Sequence, residues 1–360
     1  MAATVRAGII LTASLVKTML SGFRLSAADN VDPFRFPGRT RPERVGLRTA
    51  AHNLAAIVRH SSAWAATAAA LKDRDSSRLL LELCAYRLLG GRHYRLPRND
   101  ELFWRNVEAV ERELVVQRNV SRAGGYDLHL YRLAGRSGPI ELEAHPMNIL
   151  NSFLIEQYRF ARSGAVVEAE GDDLILDGGG AWGDTALYFA DRAPAGKVFT
   201  FELEERNLEV LRRNLARNPR LAARIEVVER ALWNKSGERL HLAAAGPGTR
   251  IGGAPGPGRA LEVVESIAID DWRAENGARR VDFIKMDIEG AEIPALHGAR
   301  RTIRDCSPKL AIATYHSIRE LLTIPTLLAE LHHGYDLHLA HATIHAEETI
   351  AFARPHVGAG

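Results

Sequence analysis

The sequence predicts an α/β protein in which a seven-stranded, mostly parallel sheet carries helices on both faces and follows a helical N-terminal extension. From about residue 172, short apolar runs alternate with helical segments, which is typical of a parallel sheet with crossover helices. A glycine-rich turn at residues 178–183 follows the first apolar run directly. Residues 47–118 instead place apolar side chains at helical spacing, which predicts the extension.

Composition and charge indicate an ordinary soluble enzyme. The 360 residues are 46% hydrophobic and 25% charged, enough for a sizeable core in two units of unequal size. The 47 basic and 44 acidic side chains are well mixed, so nucleic-acid binding has little support. The two cysteines, Cys84 and Cys306, lie far apart. They argue against a disulfide framework and predict a reducing, cytoplasmic compartment.

The N-terminal part is predicted to contain two segments. Residues 1–46 form an irregular or amphipathic segment, whose apolar stretch 7–16 is too short to span ~30 Å of hydrocarbon. We interpret this stretch as an amphipathic helix, with a signal peptide or attachment to a membrane surface as alternatives. Residues 47–139 are predicted to be mainly helical and to end in a β-hairpin within 122–143, where apolar and polar residues alternate.

Residues 140–355 are predicted to form the main domain. Its predicted strands are 174–176, 198–201, 225–228, 281–286 and 310–314, with a C-terminal hairpin near 335–339 and 349–352. Helices are predicted at 203–218 and 291–305. The glycine- and proline-rich residues 246–258 form either a flexible surface loop or a lid over a substrate.

The turn after the first strand carries the central signal. Gly178, Gly180 and Gly183 satisfy the G-x-G-x-x-G pattern of dinucleotide binding, which is weak evidence alone. Asp177 can stabilise the turn and contact a cationic amino group, whereas it would repel a pyrophosphate. The frame D-x-G-x-A-x-G at 177–183 therefore resembles the first motif of methyltransferases. The cofactor-binding residues predicted here are Asp177, Gly178, Gly179, Gly180, Gly183, Asp184 and Thr185.

Two further strand ends are predicted to contact a nucleoside. Glu202 ends the second strand, 25 residues after Asp177, where its carboxylate can accept hydrogen bonds from ribose hydroxyls. This role suits either kind of nucleotide cofactor. Glu229, Arg230 and Ala231 follow the third strand, at an edge that typically flanks an adenine ring. For Glu229, a solvated charge at a strand end is an equal alternative.

An acidic strand end follows in residues 282–292. Lys285 and Asp287 share one face of this strand because side chains alternate with a period of two, and Glu289-Gly290 then turns into a helix. Burying such charges is costly unless they pair or bind something. Ligands bind at this end of the strands in open α/β sheets, so we interpret the stretch as part of a site rather than as a salt-bridged turn.

Over about residues 140–354, these segments together resemble the FkbM family of methyltransferases. The specific part is Lys285-Met286-Asp287-Ile288-Glu289-Gly290-Ala291-Glu292. The resemblance also includes 176–190, Glu156-Gln157-Tyr158, Phe201-Glu202 with Asn207 and Asn214, Ala231-Leu232-Trp233, and Tyr315-His316. It implies a class I methyltransferase (Rossmann-like) fold, S-adenosyl-L-methionine as cofactor, and methyl transfer to a hydroxyl of a sugar, glycan or secondary metabolite.

The first motif departs from the family pattern at one point. Many relatives have Ala-Asn after the second glycine, whereas this chain has Gly180-Ala181-Trp182. The Ala181 side chain cannot form a hydrogen bond with a ligand. Trp182 is predicted to cover the ligand instead. Leu203 and Asn207 complete the predicted cofactor site.

The predicted catalytic residues are His316, Asp287, Lys285 and Glu289. Methyl transfer requires alignment of the acceptor oxygen with the S–CH₃ bond, worth up to about 7–11 kcal/mol, and a base for its proton, worth about 10²–10⁴-fold. His316 follows the fifth strand, and a histidine suits a base near neutral pH, with capping of the strand end as its alternative. Asp287 is expected to hold the methionine amine or the acceptor, and Lys285 to orient the carboxylates.

No metal is predicted. Magnesium bound by Asp287 and Glu289 would lack an evident third ligand. No cysteine or acid accompanies the C-terminal histidines at zinc-ligand spacing. The histidines interpreted as scattered surface residues are His332, His333, His338, His341 and His345.

Two other functions stay open, an NAD(P)-dependent oxidoreductase and a non-catalytic nucleoside-binding scaffold. Asp177 and the stretch 285–292 argue against the oxidoreductase, and intact Glu202, Asp287 and His316 argue against the scaffold. The predicted partner is a small-molecule or glycan acceptor, without nucleic acid.

Overall fold

The computed structural model describes residues 2–27, 29–162, 164–243, 248, 250–251 and 262–356. Most of the stretch 246–258, predicted to be a loop or a lid, lies outside these described residues. The chain folds as two compact units, one of Asn106–Ala313 and the other of Met1–Arg105 with Thr314–Gly360. The predicted boundaries at residues 46 and 139 differ from this division and stay a prediction.

The described elements up to Arg112 are helices, and strands and helices follow in mixed order from Val115 onward. The helices are α1 (Ala2–Gly22), α2 (Leu47–Arg59), α3 (Ser61–Ala70), α4 (Arg74–Leu89), α5 (Glu101–Arg112), α6 (Pro146–Asn148), a π-helical turn (Ile149–Leu154), α7 (Asp184–Arg192), α8 (Glu205–Arg217), α9 (Pro219–Ala222), α10 (Ile269–Glu275), α11 (Glu292–His297), α12 (Arg300–Cys306) and α13 (Ile318–Leu331). The strands are β1 (Val115–Ala123), β2 (Tyr126–Gly135), β3 (Gly138–Ala144), β4 (Phe160–Arg162), β5 (Ala165–Val167), β6 (Leu174–Gly178), β7 (Lys197–Phe201), β8 (Ile225–Val228), β9 (Ala231–Leu232), β10 (Arg239–Ala243), β11 (Arg250–Ile251), β12 (Glu262–Ile267), β13 (Phe283–Met286), β14 (Lys309–Ala313), β15 (Tyr335–His341) and β16 (Thr349–Pro355).

The main sheet of the Asn106–Ala313 unit consists of parallel strands in the order β14-β13-β6-β7-β8. Its register pairs Lys285 of β13 with Asp177 of β6, and Asp177 with Thr200 of β7. Because the strands are parallel, their carboxyl ends lie at one edge, which is where such sheets bind ligands. With the antiparallel pair β15–β16 of the other unit, these strands supply the seven that the sequence predicts. The predicted α/β fold class is confirmed.

Two elements of the Asn106–Ala313 unit differ from the prediction. The hairpin expected within 122–143 is a three-stranded antiparallel sheet, β1-β2-β3. The helix expected at 291–305 is interrupted at Gly298 and forms α11 and α12. The carbonyl of Gly298 accepts a hydrogen bond from the Asp270 N–H (2.9 Å). A side chain at 298 would also lie 2.1 Å from the Trp233 carbonyl oxygen, so a close approach of the backbones ends α11.

The unit of Met1–Arg105 and Thr314–Gly360 contains the predicted C-terminal hairpin, β15–β16, which is confirmed. Its N-terminal helix α1 includes the stretch 7–16, as predicted. Within the described ranges, no helix combines the length and apolar character needed to cross a membrane.

Three histidines predicted to be on the surface are buried in this unit, so that prediction is wrong for them. His338 contacts Asp73 (Nδ1 to Oδ2, 2.7 Å), His341 contacts the Thr349 hydroxyl (2.8 Å), and His345 lies 3.4 Å from an Asp32 oxygen. Burial lowers the pKa of His341 to about 3, which keeps its ring neutral. His338 and His341 lie in β15 and His345 lies in the connection to β16, and each of the three has a polar partner in the core.

Candidate functional site

The glycine turn between β6 and α7 is fixed to both neighbouring strands. The N–H groups of Gly179 and Gly180 both donate to the carbonyl oxygen of Phe201, at 3.0 Å each. From the other side, Lys285 Nζ donates to the carbonyl oxygens of Gly178 (2.9 Å) and Gly179 (2.6 Å). The turn therefore has one well-defined position between β7 and β13.

The glycines of this turn are required by the packing of the protein itself. A side chain at Gly179 would lie 2.0 Å from the Asp287 carbonyl oxygen, and one at Gly180 would lie 2.0 Å from the Thr200 hydroxyl. Gly179 and Gly183 also adopt φ of +81° and +83°, which favours glycine. The glycine-rich pattern is typical of a tight turn that a ligand can approach closely. In the structure, the atoms that a side chain would meet belong to the protein itself, to the residue after β13 for Gly179, to β7 for Gly180 and to α8 for Gly183.

Asp177 has a structural role in the turn. Its side chain is completely buried, and its Oδ2 accepts hydrogen bonds from the hydroxyls of Thr185 (2.8 Å) and Thr200 (2.9 Å). Its Oδ1 lies 3.1 Å from Lys285 Nζ. Burial disfavours the Lys285 cation, but the carboxylates of Asp177 and Asp287 outweigh burial and raise its pKa above the ordinary value. The geometry thus favours the turn-stabilising part of the prediction for Asp177.

The first residues of α7 are also held by protein contacts. Gly183 precedes the helix, and Asp184 begins it in a buried position. Asp184 Oδ2 accepts a hydrogen bond from the hydroxyl of Ser152 in the π-helical turn (2.7 Å). Burial raises the pKa of Asp184, although the Ser152 hydroxyl opposes this shift. Asp184 and Thr185, both predicted to bind a cofactor, therefore have protein partners that orient them.

Trp182 is part of a hydrophobic cluster under the three-stranded sheet. Its side chain is 1% exposed and packs with Ala123, Leu128 and Val210. Tyr126 meets the indole edge-on, with 6.0 Å between ring centroids. This packing argues against the prediction that Trp182 covers a bound ligand, because the indole is committed to the core.

Glu202 lies buried at the end of β7 in a fixed orientation. Its Oε1 accepts hydrogen bonds from the N–H groups of Leu203 (2.7 Å) and Glu204 (2.9 Å). Burial raises its pKa, while these two N–H groups and the Asn207 side chain stabilise the charged form. Leu203 and Asn207, both predicted at the site, thus orient the Glu202 carboxylate, the first through its N–H group and the second through its side chain. A carboxylate held in this way is suited to accept hydrogen bonds from hydroxyl groups.

The end of β8 is a surface feature. Glu229 is exposed and pairs with Arg212 (2.5 Å), and Arg230 lies 3.6 Å from Glu275. Ala231 is buried in β9, where it pairs with Ser266 of β12. For Glu229, these contacts favour the solvated strand-end charge over a contact with an adenine ring.

The end of β13 is acidic and only partly buried. Asp287 accepts a hydrogen bond at Oδ2 from the hydroxyl of Tyr158 (2.9 Å). Glu289 and Gly290 follow with φ of +57° and +97°, so Glu289 occupies a conformation that is unusual for a residue with a side chain. The buried Glu292 accepts hydrogen bonds from two N–H groups of this turn, those of Ile288 and Gly290.

Several residues of this region have no predicted role. Ser152 and Tyr158 belong to a segment that precedes the first strand of the sheet and contains no motif of known chemistry, although Tyr158 contributes to the family resemblance. Thr200 is two residues before Glu202 in β7, so strand periodicity could have placed it beside Asp177. Glu292 is the last acid of the second motif and caps its own turn.

His316 belongs to the other compact unit. Its ring lies against Tyr315, with 4.2 Å between centroids, and the carbonyl oxygen of Tyr315 accepts a hydrogen bond from Arg87 (2.5 Å). The role of His316 as general base stays a prediction.

The residues around the turn fit a ligand that carries hydrogen-bond donors. Asn151 and Gln157 belong to the segment that contacts Asp184 and Asp287 through Ser152 and Tyr158. Within the described part of the chain, the buried side-chain oxygens of Asn151 and Gln157 accept no hydrogen bond. Such oxygens are costly to leave unpaired. Ammonium and hydroxyl groups, both present in S-adenosyl-L-methionine, would pair with acceptors of this kind.

Comparisons with known proteins identify one matching domain family and several similar folds. Residues 164–337 match the family model described as the methyltransferase FkbM domain. The crystal structure of methyltransferase FkbM from Methylobacillus flagellatus KT is 22% identical, with a TM-score of 0.51, and the match covers 83% of this chain and 60% of that protein. A search of the curated proteins finds no significant match.

More distant folds also match. Fibrillarin, a pre-rRNA processing protein of Methanococcus jannaschii, is 14% identical over 64% of this chain and 90% of its own, with a TM-score of 0.38. Precorrin-6y C5,15-methyltransferase of Geobacter metallireducens GS-15 is 11% identical over 55% and 84%, with a TM-score of 0.33. The family model and the Methylobacillus structure agree with the class I methyltransferase fold that the sequence predicts. The resemblance to the FkbM family is confirmed at residues 164–337, where the chain carries a methyltransferase FkbM domain.

Proposed function

We propose that this chain is an S-adenosyl-L-methionine-dependent O-methyltransferase whose acceptor is a hydroxyl of a sugar, glycan or secondary metabolite. The observation that carries the proposal is the chemistry of the turn. The N–H groups of Gly179 and Gly180 are used by the Phe201 carbonyl, whereas acceptors line the strand ends at Glu202 and Asp287. An ammonium and a ribose diol suit such an edge, and the pyrophosphate of a dinucleotide does not.

The reaction requires that the methyl donor and the acceptor hydroxyl be positioned, and it requires no reactive group of the protein that bonds to the methyl group. S-adenosyl-L-methionine supplies a methyl group already activated on a sulfonium, and transfer to the acceptor oxygen leaves a neutral thioether. Glu202 would hold the ribose and Asp287 the methionine ammonium, so that the methyl group has a fixed direction. The acceptor hydroxyl loses its proton to a base, for which His316 is the candidate.

The location proposed for the protein is the cytoplasm. Cys84 and Cys306 are both free thiols, and Cys84 is buried. Unpaired cysteines are typical of reducing compartments.

Thermal unfolding with two nucleotides tests the proposed cofactor. S-adenosylhomocysteine, the demethylated product, should stabilise the protein by about 2.7 kcal/mol when present at a hundredfold excess over its Kd. NAD should leave the unfolding midpoint unchanged. Stabilisation by NAD alone, or by neither nucleotide, would contradict the proposal. Mass spectrometry after a labelled-methyl assay on candidate glycans would then identify the acceptor.

A further inference from the structure

Tyr158 makes a specific contact with the acidic end of β13. Its side chain is 3% exposed, and its hydroxyl donates to Asp287 Oδ2 at 2.9 Å. The ring packs near Phe189, with 6.1 Å between centroids, and Lys285 Nζ lies 5.1 Å from its centre. A buried phenol at this distance limits the rotation of the Asp287 carboxylate.

The backbone that carries Tyr158 is itself held firmly. The π-helical turn before it contacts α7 through Ser152 and Asp184. The Gln157 N–H then donates to the Asn151 carbonyl (2.9 Å). π-Helical turns interrupt regular helices and occur frequently at functional sites. One short segment thus contacts both the start of α7 and the end of β13.

The two aspartates at the sheet edge differ in what they offer to a ligand. Asp177 is completely buried and bonded to Lys285, Thr185 and Thr200. Asp287 lies on the same edge but is only partly buried. Of the pair, Asp287 is therefore the carboxylate that a cationic ligand group can reach.

We infer that Tyr158 is a positioning residue that orients Asp287 toward the ammonium group of the methionine moiety. The inference rests on the proposed function, since it names the part of the cofactor that this contact serves. The Tyr158 hydroxyl donates a hydrogen bond to Oδ2 of Asp287 and thereby fixes the orientation of the whole carboxylate. Tyr158 acts through Asp287 and does not itself take part in methyl transfer.

A pair of ligands separates this role from a general effect on the fold. S-adenosylhomocysteine carries the amino acid moiety, whereas 5′-methylthioadenosine has the same nucleoside without it. We expect Tyr158→Phe to weaken S-adenosylhomocysteine about tenfold, since the lost hydrogen bond involves a charged group. Binding of 5′-methylthioadenosine should change by less than about twofold. Calorimetry gives both dissociation constants.

Tyr188→Phe is the matched control. Tyr188 is also buried and packs against Phe189 (5.4 Å between centroids), but its hydroxyl is directed to Glu156 (3.5 Å). Both ligands should bind this variant as they bind the wild type. Asp287→Asn should weaken S-adenosylhomocysteine selectively, and adding Tyr158→Phe to it should cause no further loss, because the two residues act as one unit.

Each result has a defined meaning. Equal weakening of both ligands by Tyr158→Phe, or no weakening, would overturn the inference. Partial unfolding does not obscure the outcome, because it lowers the apparent affinity for both ligands by the same factor. If the wild type binds neither ligand, the proposed function fails, and the inference fails with it. If the wild type binds S-adenosylhomocysteine and Tyr158→Phe leaves the ratio of the two affinities unchanged, only the inference fails.

Discussion

The glycine turn after β6 and the acidic turn after β13 lie side by side at one sheet edge, yet they use aspartate in opposite ways. Asp177 is buried and bonded to a lysine and two threonines. Asp287 is partly exposed and accepts a hydrogen bond from the Tyr158 phenol. Sequence motifs present both residues as ligand contacts. The difference shows that a carboxylate in a motif can serve the backbone turn, and that burial and partners decide which role it has.

The two turns have a similar backbone conformation. Each places one residue that carries a side chain at positive φ, Ala181 at +41° in the first turn and Glu289 at +57° in the second, beside glycines at positive φ. A side chain in that region costs free energy. Both turns at this sheet edge therefore hold a strained residue, and the difference between them lies in the burial and the partners of their aspartates.

The largest effect is expected in turnover. If the end of β13 binds the cofactor and His316 removes the proton, His316→Ala should lower turnover by about 10²–10⁴-fold and leave the affinity for S-adenosylhomocysteine unchanged. A labelled-methyl assay and calorimetry measure the two quantities. His333→Ala, at an exposed histidine of the same unit, should behave as the wild type. Wild-type turnover in His316→Ala would indicate that Asp287 or Glu289, and not His316, accepts the proton of the acceptor hydroxyl.

The same substitution at both aspartates tests the comparison directly. Asp177→Asn leaves the buried Lys285 without its closest counter-charge and should cost about 3–5 kcal/mol of unfolding free energy. Asp287→Asn, at a partly exposed position, should cost less than about 1 kcal/mol. Urea unfolding monitored by circular dichroism gives both values. Equal losses would show that the two carboxylates have equivalent structural roles.

A smaller effect is expected at the other strand ends. Glu202→Gln should weaken S-adenosylhomocysteine and 5′-methylthioadenosine alike by about 10–100-fold, because a charged acceptor for the ribose is lost. Glu229→Gln should leave both affinities within about twofold, since its exposed carboxylate pairs with Arg212. Calorimetry on the two variants provides the comparison. Normal binding by Glu202→Gln would remove that residue from the cofactor site.

The strands of the sheet and the edge where the motifs lie can be predicted from the sequence, because apolar runs and glycine turns are local patterns. Which motif side chains face inward cannot be predicted in this way. Trp182 and Asp177 are in the right segment, but their burial depends on packing against β1–β3 and on Lys285, which lies more than a hundred residues along the chain. Ser152 is absent from the predicted site because no local pattern marks it, and Tyr158 is absent because the family resemblance includes it without giving it a role.

The bonds of Lys285 have a consequence for how this protein can change. Its amine joins the carboxylate of Asp177 to two carbonyls of the turn, while Thr200 holds the same carboxylate from β7. Side chains of β6, β7 and β13 therefore belong to one network of ion pairs and hydrogen bonds, and replacing one member leaves a buried charge or hydroxyl without its partner. A tolerated change at one of these positions therefore requires a compensating change at another, and Asp287, whose carboxylate also raises the pKa of Lys285, is tied to the same network.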